Sequence, residues 1–258
     1  MSIDSHKPDC SAYNCVVLKF GGSVLHSPSD FPLIAGEIQR FVDRKQKVVA
    51  VVSAYYGVTE KLLKKASRQG LDVESVEYAE LIARGEFQSA EQLVNYLNEN
   101  KFKATMRSPS SLDFIAKGNR SAATPVSLCG DKAIATLENY DVMVVPGFSA
   151  VDDKGQCVLL GRGGSDISAA CIAEALNLKQ VRLLKDVDGI YDRDPNTHSN
   201  AQRFAHVDYA TAAEIAGELI QAEAISFAAS RQISINVACM GTDYSSRIGP
   251  ALSSQSLD

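Results

Sequence analysis

The sequence lacks the features that mark membrane proteins and proteins that bind nucleic acids. No apolar run approaches the roughly 20 residues needed to cross a bilayer, so we expect no membrane partner. The net charge is -5, whereas binding to phosphates along a nucleic acid calls for a basic surface, so we expect no nucleic acid partner. Charged residues make up 22% of the chain and apolar residues 45%, which is typical of a soluble globular protein.

Paired cysteines and a targeting segment are missing as well. The six cysteines are scattered, with no pair at the spacing of a metal site, so buried thiols explain them better than disulfides or zinc. Residues 1–13 are polar and have neither a basic leader nor an apolar core, so we expect a disordered tail there. These features predict a reduced, cytoplasmic protein without a metal site built from its own side chains.

What the sequence does contain is an alternation of short β-branched strands and helices. This order predicts an α/β fold with a mostly parallel sheet covered on both faces. We expect residues 100–123 to be irregular, and we expect a break at 84–86 in an otherwise helical segment. The predicted strands are 15–20, 47–54, 141–146, 180–184 and 233–237, with a hairpin over 148–160; the predicted helices are 31–41, 57 onward, 72–99, 131–138, 167–176 and one or two over 208–231.

Three glycine-bearing loops follow predicted strands, where α/β proteins bind ligands. The first is Lys19-Phe-Gly-Gly-Ser23, whose backbone N-H groups and lysine suit an anion, although a tight turn beside a lysine explains this loop better when it is taken alone. The second, Ser53–Gly57, leads into a helix. The third places Gly161, Gly163 and Gly164 around Arg162, and capping of a helix by Ser165 or Asp166 does not explain these three glycines.

Known nucleotide motifs do not account for these loops. The Gly-x-x-x-x-Gly-Lys-Ser/Thr pattern of P-loop proteins is missing, and Asp166 stands where the dinucleotide fingerprint requires its third glycine. The acidic run Lys185–Pro195 does not fit an EF-hand, because its glycine comes too early and Thr197 replaces the bidentate glutamate. The run is either a turn with solvated acids or part of a site for a Mg-nucleotide.

Taken in order, these segments resemble the amino-acid kinase superfamily, and within it the catalytic domain of aspartokinases. The likeness covers residues 15–240, and its most specific parts are Gly-Arg-Gly-Gly-Ser-Asp and Asp-Val-Asp-Gly-Ile-Tyr-Asp-Arg-Asp-Pro. It implies a three-layer αβα sandwich of the carbamate kinase type, with an acceptor lobe at about 14–145 and a nucleotide lobe at about 146–258. It also implies a homodimer. The implied reaction is transfer of the γ-phosphoryl group of ATP, with Mg2+, to the carboxylate of an acidic amino acid, and L-aspartate is the acceptor that the resemblance favours.

The resemblance also implies roles for particular residues. Lys19 would hold the transferring phosphoryl group, with Asp166 organising the site. Arg162 would bind a substrate carboxylate, and Glu86 the substrate ammonium. Further acceptor contacts would be Ser23, Ser53, Gly163, Gly164 and Ser165, and nucleotide contacts would be Gly21, Gly22, Lys185, Asp186, Asp188, Tyr191 and Arg193.

Several positions depart from the family pattern. Aspartokinases usually read Lys-Phe-Gly-Gly-Thr-Ser-Val, so one hydroxyl residue is missing beside Ser23, and Lys185 replaces a threonine. Asn196 replaces an arginine, and Glu218 replaces a lysine that faces the phosphates, so Lys185 or Arg193 would have to supply the cation. We also expect the sequence to have no regulatory domain for feedback by lysine or threonine.

Three hypotheses therefore stand. The first is an aspartate kinase. The second is a kinase of the same fold that acts on another carboxylate, a phosphate or an alcohol, which the change beside Ser23 favours. The third is a non-catalytic subunit that binds a nucleotide or metabolite, which Asn196 and Glu218 favour.

Overall fold

Buried β-branched runs form the centre of the molecule. The computed structural model describes residues 14–251 except 194, 196, 199 and 218. In it, β1 (Cys15–Phe20) and β2 (Lys47–Val52) pair in parallel along their whole length. Because side chains alternate between the faces of a strand, strands that are covered on both faces are apolar almost throughout.

Eight strands of the described part form the main sheet, with β1 near its middle. The remaining strands are β3 (Ala104–Met106), β4 (Ile115–Lys117), β5 (Thr124–Ser127), β6 (Val142–Pro146), β7 (Ser149–Val151), β8 (Cys157–Leu159), β9 (Gln180–Leu184), β10 (Ile190–Tyr191), β11 (Arg203–Phe204), β12 (His206–Asp208), β13 (Ser234–Ala238) and β14 (Ser246–Gly249). The main sheet has the order β12-β14-β13-β9-β1-β2-β6-β3, and its only antiparallel pair among the described strands is β13 with β14. A four-stranded sheet, β5-β4-β7-β8, and the β10-β11 pair complete the strands.

Helices cover both faces of the main sheet. They are α1 (Phe31–Asp43), α2 (Val58–Arg68), α3 (Val76–Glu99), α4 (Gly130–Asn139), α5 (Gly164–Ala175), α6 (Tyr209–Ile215) and α7 (Ala222–Ser230). On β1, Val17 belongs to a core with α4, α5 and α7, whereas Leu18 belongs to a core with α1 and α3. This alternation confirms the predicted three-layer αβα sandwich with a mostly parallel sheet.

The predicted break at 84–86 is wrong, because α3 runs without interruption through Gly85. A Cβ atom on Gly85 would lie 2.7 Å from the Cβ atom of Ala54. This glycine therefore allows a helix and a loop to pack closely. The prediction of an irregular segment at 100–123 is also wrong in part, because it contains β3 and β4.

Other boundaries agree with the sequence to within a few residues, and β9 has the predicted limits. The predicted hairpin is present as the antiparallel β7-β8 pair. The tail predicted at 1–13 lies outside the described residues, as do Asn196 and Glu218. The division into an acceptor lobe and a nucleotide lobe stays a prediction. In the described part, no helix combines the length and the apolar character that a membrane crossing requires.

Candidate active site

The candidate site lies where the strand order of the main sheet changes direction. β1 and β9 are parallel neighbours, with Phe20 opposite Leu184. From β1 the chain proceeds to α1 on one face, and from β9 it proceeds through β10 towards α6 and α7 on the other. Open α/β sheets bind ligands outside the carboxyl ends of the strands at such a point. Lys19 and Lys185 occupy these two strand ends.

A buried carboxylate lies between these two lysines. The Asp166 Oδ1 atom is 2.6 Å from the Lys19 Nζ atom, and Asp166 Oδ2 is 3.9 Å from Lys185 Nζ. Lys19 lies on the face of β1 that contacts α5, because it alternates with Leu18 and follows Val17 by two residues. Asp166 reaches it from the first turn of α5.

The charges in this cluster perturb one another. Burial works to raise the pKa of Asp166, but the ammonium groups of Lys19 and Lys185 overcome it and hold that pKa below its usual range. Burial, and then repulsion from Lys19, lower the pKa of Lys185 to about 8, although Asp166 and Asp186 oppose this change. Perturbed groups of this kind cluster at functional sites.

The start of α5 differs from the predicted cap. The helix begins at Gly164 with Gly163 at its N-cap, and no side chain caps it. Gly161 and Gly163 have φ angles of 71° and 69°, a conformation that favours glycine. At Gly164 an added Cβ atom would lie 2.7 Å from the Phe148 ring. These glycines therefore allow the loop to pack closely against its neighbours. Asp166 does not cap the helix, and its carboxylate pairs with Lys19 instead.

Two adjoining cavities meet at the cluster, and Lys19, Gly22, Lys185 and Leu219 line both. The first has a volume of about 730 Å³ and the second about 420 Å³. Every predicted site residue except Asp188 lines at least one of them. The first contains Gly21, Ser23, Asp186, Tyr191 and Arg193, and the second contains Ser53, Glu86, Arg162, Gly163, Gly164, Ser165 and Asp166.

Two residues lie apart from the rest of their predicted groups: Ser23 from the acceptor contacts and Asp188 from the nucleotide contacts. Ser23 was predicted beside the acceptor, but it lines the first cavity, together with the predicted nucleotide residues. Asp188 lines neither cavity; its carboxylate accepts a hydrogen bond of 2.6 Å from the Tyr191 hydroxyl and lies 3.8 Å from Arg203 Nε. Asp188 is thus placed to support Tyr191.

The second cavity contains an acid and a cation that lack partners within the described part of the chain. Glu86 is buried on α3, and burial raises its pKa to about 7, although the Ala54 amide and Lys19 limit the rise. The Glu86 Oε2 atom has no hydrogen-bond partner in the described part of the chain. Arg162 is exposed, and no described residue forms an ion pair with it. A ligand with both an ammonium and a carboxylate would satisfy the two groups.

The first cavity suits a phosphate chain. A Cβ atom on Gly21 would lie 2.7 Å from Lys19 Nζ, so glycine leaves the ammonium open to the cavity. The buried Ser23 Oγ atom has no hydrogen-bond partner among the described residues. Lys19, Lys185 and Arg193 provide positive charge around the lining.

A magnesium ion fits this cavity only together with phosphates. No group of three acidic, histidine or cysteine side chains is arranged to hold a metal within the described residues. Asp186 and Asp192 line the cavity, and Asp192 pairs with Arg193 at 2.9 Å. Mg2+ typically takes one or two protein carboxylates and completes its shell with phosphate oxygens and water. Asp186 is the lining carboxylate that fits this requirement.

Several lining residues were not predicted from the sequence. Tyr55 and Tyr56 line the second cavity, and Tyr56 is 72% exposed. Ile215 is 40% exposed and lines the first cavity. A large exposed apolar side chain beside a cavity is a useful signal, but exposure is not visible in the sequence.

The fold and the site together define an α/β protein with two adjoining, lysine-lined cavities at the switch point of its sheet. The chain belongs to the amino acid kinase family, because residues 14–237 match the sequence profile of that family. An aspartate kinase of Pseudomonas fluorescens (strain SBW25) is 29% identical over 227 residues, which are 86% of this chain and 55% of that protein. The chain thus spans about half the length of this relative.

Solved structures agree on the fold. E. coli aspartokinase III in complex with aspartate and ADP superposes with a TM-score of 0.73 and 23% identity, covering 92% of this chain and 64% of that one. The UMP kinase of Bacillus anthracis superposes with a TM-score of 0.65 and 18% identity, covering 93% of this chain and 97% of that one. The fold is therefore shared by kinases with different acceptors.

Proposed function

We propose that this chain is an ATP-dependent kinase that transfers the γ-phosphoryl group of ATP to the side-chain carboxylate of L-aspartate. A carboxylate oxygen attacks the γ-phosphorus atom, the bond between that atom and the bridging oxygen of ADP breaks, and 4-phospho-L-aspartate and ADP form. The carboxylate needs no general base, so the protein has to position the reactants and neutralise charge.

The observation that carries this proposal is the junction of the two cavities at Lys19. A cavity rich in glycine amides and cations lies on one side. The cavity on the other side contains Arg162 and the Glu86 Oε2 atom, neither of which has a partner among the described residues. A phosphoryl group that passes from one cavity to the other must pass Lys19. The related E. coli aspartokinase III binds aspartate and ADP, which supports the same pair of ligands here.

Each side chain then has a definite task. Lys19 neutralises the transferring phosphoryl group, and Asp166 fixes the Lys19 ammonium in place. Arg162 binds the α-carboxylate of aspartate and Glu86 its ammonium. Asp186 lines the first cavity and would hold Mg2+, which would supply charge neutralisation for the nucleotide phosphates.

We assign each remaining residue to the ligand of the cavity that it lines. In the first cavity, Ser23 donates to a phosphate with its hydroxyl group, which has no partner among the residues that the structure describes. The other contacts are Gly21, Gly22, Tyr191 and Arg193 for the nucleotide, and Ser53, Gly163, Gly164 and Ser165 for the acceptor.

An acceptor that bears a phosphate is the alternative, because an exposed arginine binds phosphate as well as carboxylate. ADP release with L-aspartate, L-glutamate, UMP and isopentenyl phosphate separates the two. We expect turnover with L-aspartate to exceed that with every other acceptor. Faster turnover with UMP or isopentenyl phosphate would replace the aspartate assignment, and ATP binding without turnover on any acceptor would indicate a binding subunit.

A further inference from the structure

The cluster between the two cavities carries more positive than negative charge. The side chains of Lys19, Lys185 and Asp166 are only 7%, 10% and 6% exposed. The Asp166 Oδ1 atom lies 2.6 Å from Lys19 Nζ, which is within hydrogen-bond distance, whereas Asp166 Oδ2 is 3.9 Å from Lys185 Nζ, which is beyond it. One carboxylate therefore faces two ammonium groups, and Lys185 is the less well compensated.

Lys185 forms no side-chain hydrogen bond with any residue that the structure describes. An ammonium group has three N-H donors, and burying such a charge without hydrogen bonds is unfavourable. The charged groups that act on it are Lys19 on β1, Asp166 on α5, and Asp186 beside it after β9. Two carboxylates and a second ammonium do not satisfy its donors, so the arrangement calls for an anionic ligand.

The position of Lys185 indicates which part of a ligand it contacts. It lines both cavities, as Lys19 does, and it follows the strand that pairs with β1. A nucleotide in the first cavity and an acceptor in the second would share only the group that moves between them. During phosphoryl transfer negative charge is spread over the equatorial oxygens of that group.

We propose that Lys185 is a second catalytic cation, which contacts the phosphoryl group during transfer together with Lys19. The inference rests on the proposed function and adds a residue to its chemistry. Arg193 does not fill this role, because its side chain is 48% exposed and pairs with Asp192 at 2.9 Å. It also lines only the first cavity.

The test compares Lys185→Met, Lys185→Arg and a matched control, Lys179→Met, which removes an exposed lysine just before β9. We expect Lys185→Met to lower kcat roughly 100-fold, as the loss of a single donor to transition-state charge does, while KM for L-aspartate changes less than about threefold. Lys185→Arg should recover part of kcat, and Lys179→Met should match the wild type. The melting temperature of Lys185→Met should not fall, because a poorly compensated buried charge is removed.

A second measurement keeps this inference separate from the proposed function. Calorimetry with tripolyphosphate should show binding to the wild type and binding at least about tenfold weaker in Lys185→Met. A kcat for Lys185→Met within twofold of the wild type would overturn the inference and leave the kinase assignment intact. A wild type that is inactive with every acceptor would overturn the proposed function. In that case, equal tripolyphosphate binding by the wild type and Lys185→Met would also overturn the role of Lys185.

Discussion

Replacing Glu86 with glutamine should stabilise the protein above pH 7 and weaken acceptor binding. Glu86 is buried, its Oε2 atom has no hydrogen-bond partner among the described residues, and burial raises its pKa from 4.5 to about 7. This pKa difference corresponds to about 3 kcal/mol of preference for the neutral carboxyl in the folded state. Glutamine resembles that neutral form.

The sign of the pH dependence follows from proton binding. Between pH 4.5 and about 7 the folded state keeps a proton that the unfolded state has lost, so the free energy of unfolding falls as the pH rises. Above pH 7 the wild type carries the full penalty. The Glu86→Gln variant should therefore match the wild type near pH 4 and exceed it by about 3 kcal/mol at pH 8.

Urea unfolding of both proteins at a series of pH values measures this difference. Glu91→Gln is the matched control, because Glu91 is an exposed glutamate on the same helix. The control should change stability by less than about 0.5 kcal/mol at every pH. Calorimetry should show weaker L-aspartate binding by Glu86→Gln, since the ammonium loses its carboxylate. Equal stability of Glu86→Gln and wild type at pH 8 would show that burial does not destabilise the ionised Glu86 carboxylate.

Three further predictions concern single residues. Gly85→Ala should lower the free energy of unfolding by about 2 kcal/mol, because the added Cβ atom would clash with Ala54. Gly36→Ala is the control: it lies at an exposed helix position with no neighbour within 4 Å, and it should raise the free energy of unfolding by about 1 kcal/mol. Urea unfolding measures both changes, and a stabilising Gly85→Ala would contradict the close packing of the helix on Ala54. Asp166→Asn removes the carboxylate that lies between Lys19 and Lys185, so unfolding at pH 7 should show a loss of about 3 kcal/mol. This loss should shrink above about pH 8, where Lys185 loses its proton in the folded wild type, and a loss independent of pH would contradict it. Arg162→Lys should raise KM for L-aspartate by about tenfold, because lysine cannot bind a carboxylate in the bidentate manner, and an unchanged KM would remove Arg162 from the acceptor site.

Local sequence patterns predict much of the central sheet and its loops. β1 and β9 consist mostly of apolar residues, and their glycine-bearing or acidic ends identify the ligand edge without any knowledge of tertiary contacts. The grouping of Lys19 with Asp166 and Arg162 came from the family resemblance, because a separation of about 145 residues leaves no local signal.

Tertiary packing explains the features that the sequence did not predict. Gly85 resembles a helix breaker, yet it lies in α3 because Ala54 occupies the space of its missing side chain. Asp166 resembles a helix cap, yet the positive φ angle of Gly163 starts the helix earlier and turns the carboxylate towards Lys19. Short strands such as β12 and β14 depend on their neighbours in the sheet, since three or four residues carry little pattern.

We propose that this chain forms an acyl phosphate on aspartate through Lys19. The most direct measurement is the formation of aspartyl hydroxamate when purified protein, Mg2+, ATP, L-aspartate and hydroxylamine are combined, with Lys19→Met as the comparison and Lys179→Met as the control. We expect the wild type and Lys179→Met to produce hydroxamate at equal rates and Lys19→Met to be at least about 1000-fold slower. An absence of hydroxamate with the wild type, or an equal rate with Lys19→Met, would contradict the claim.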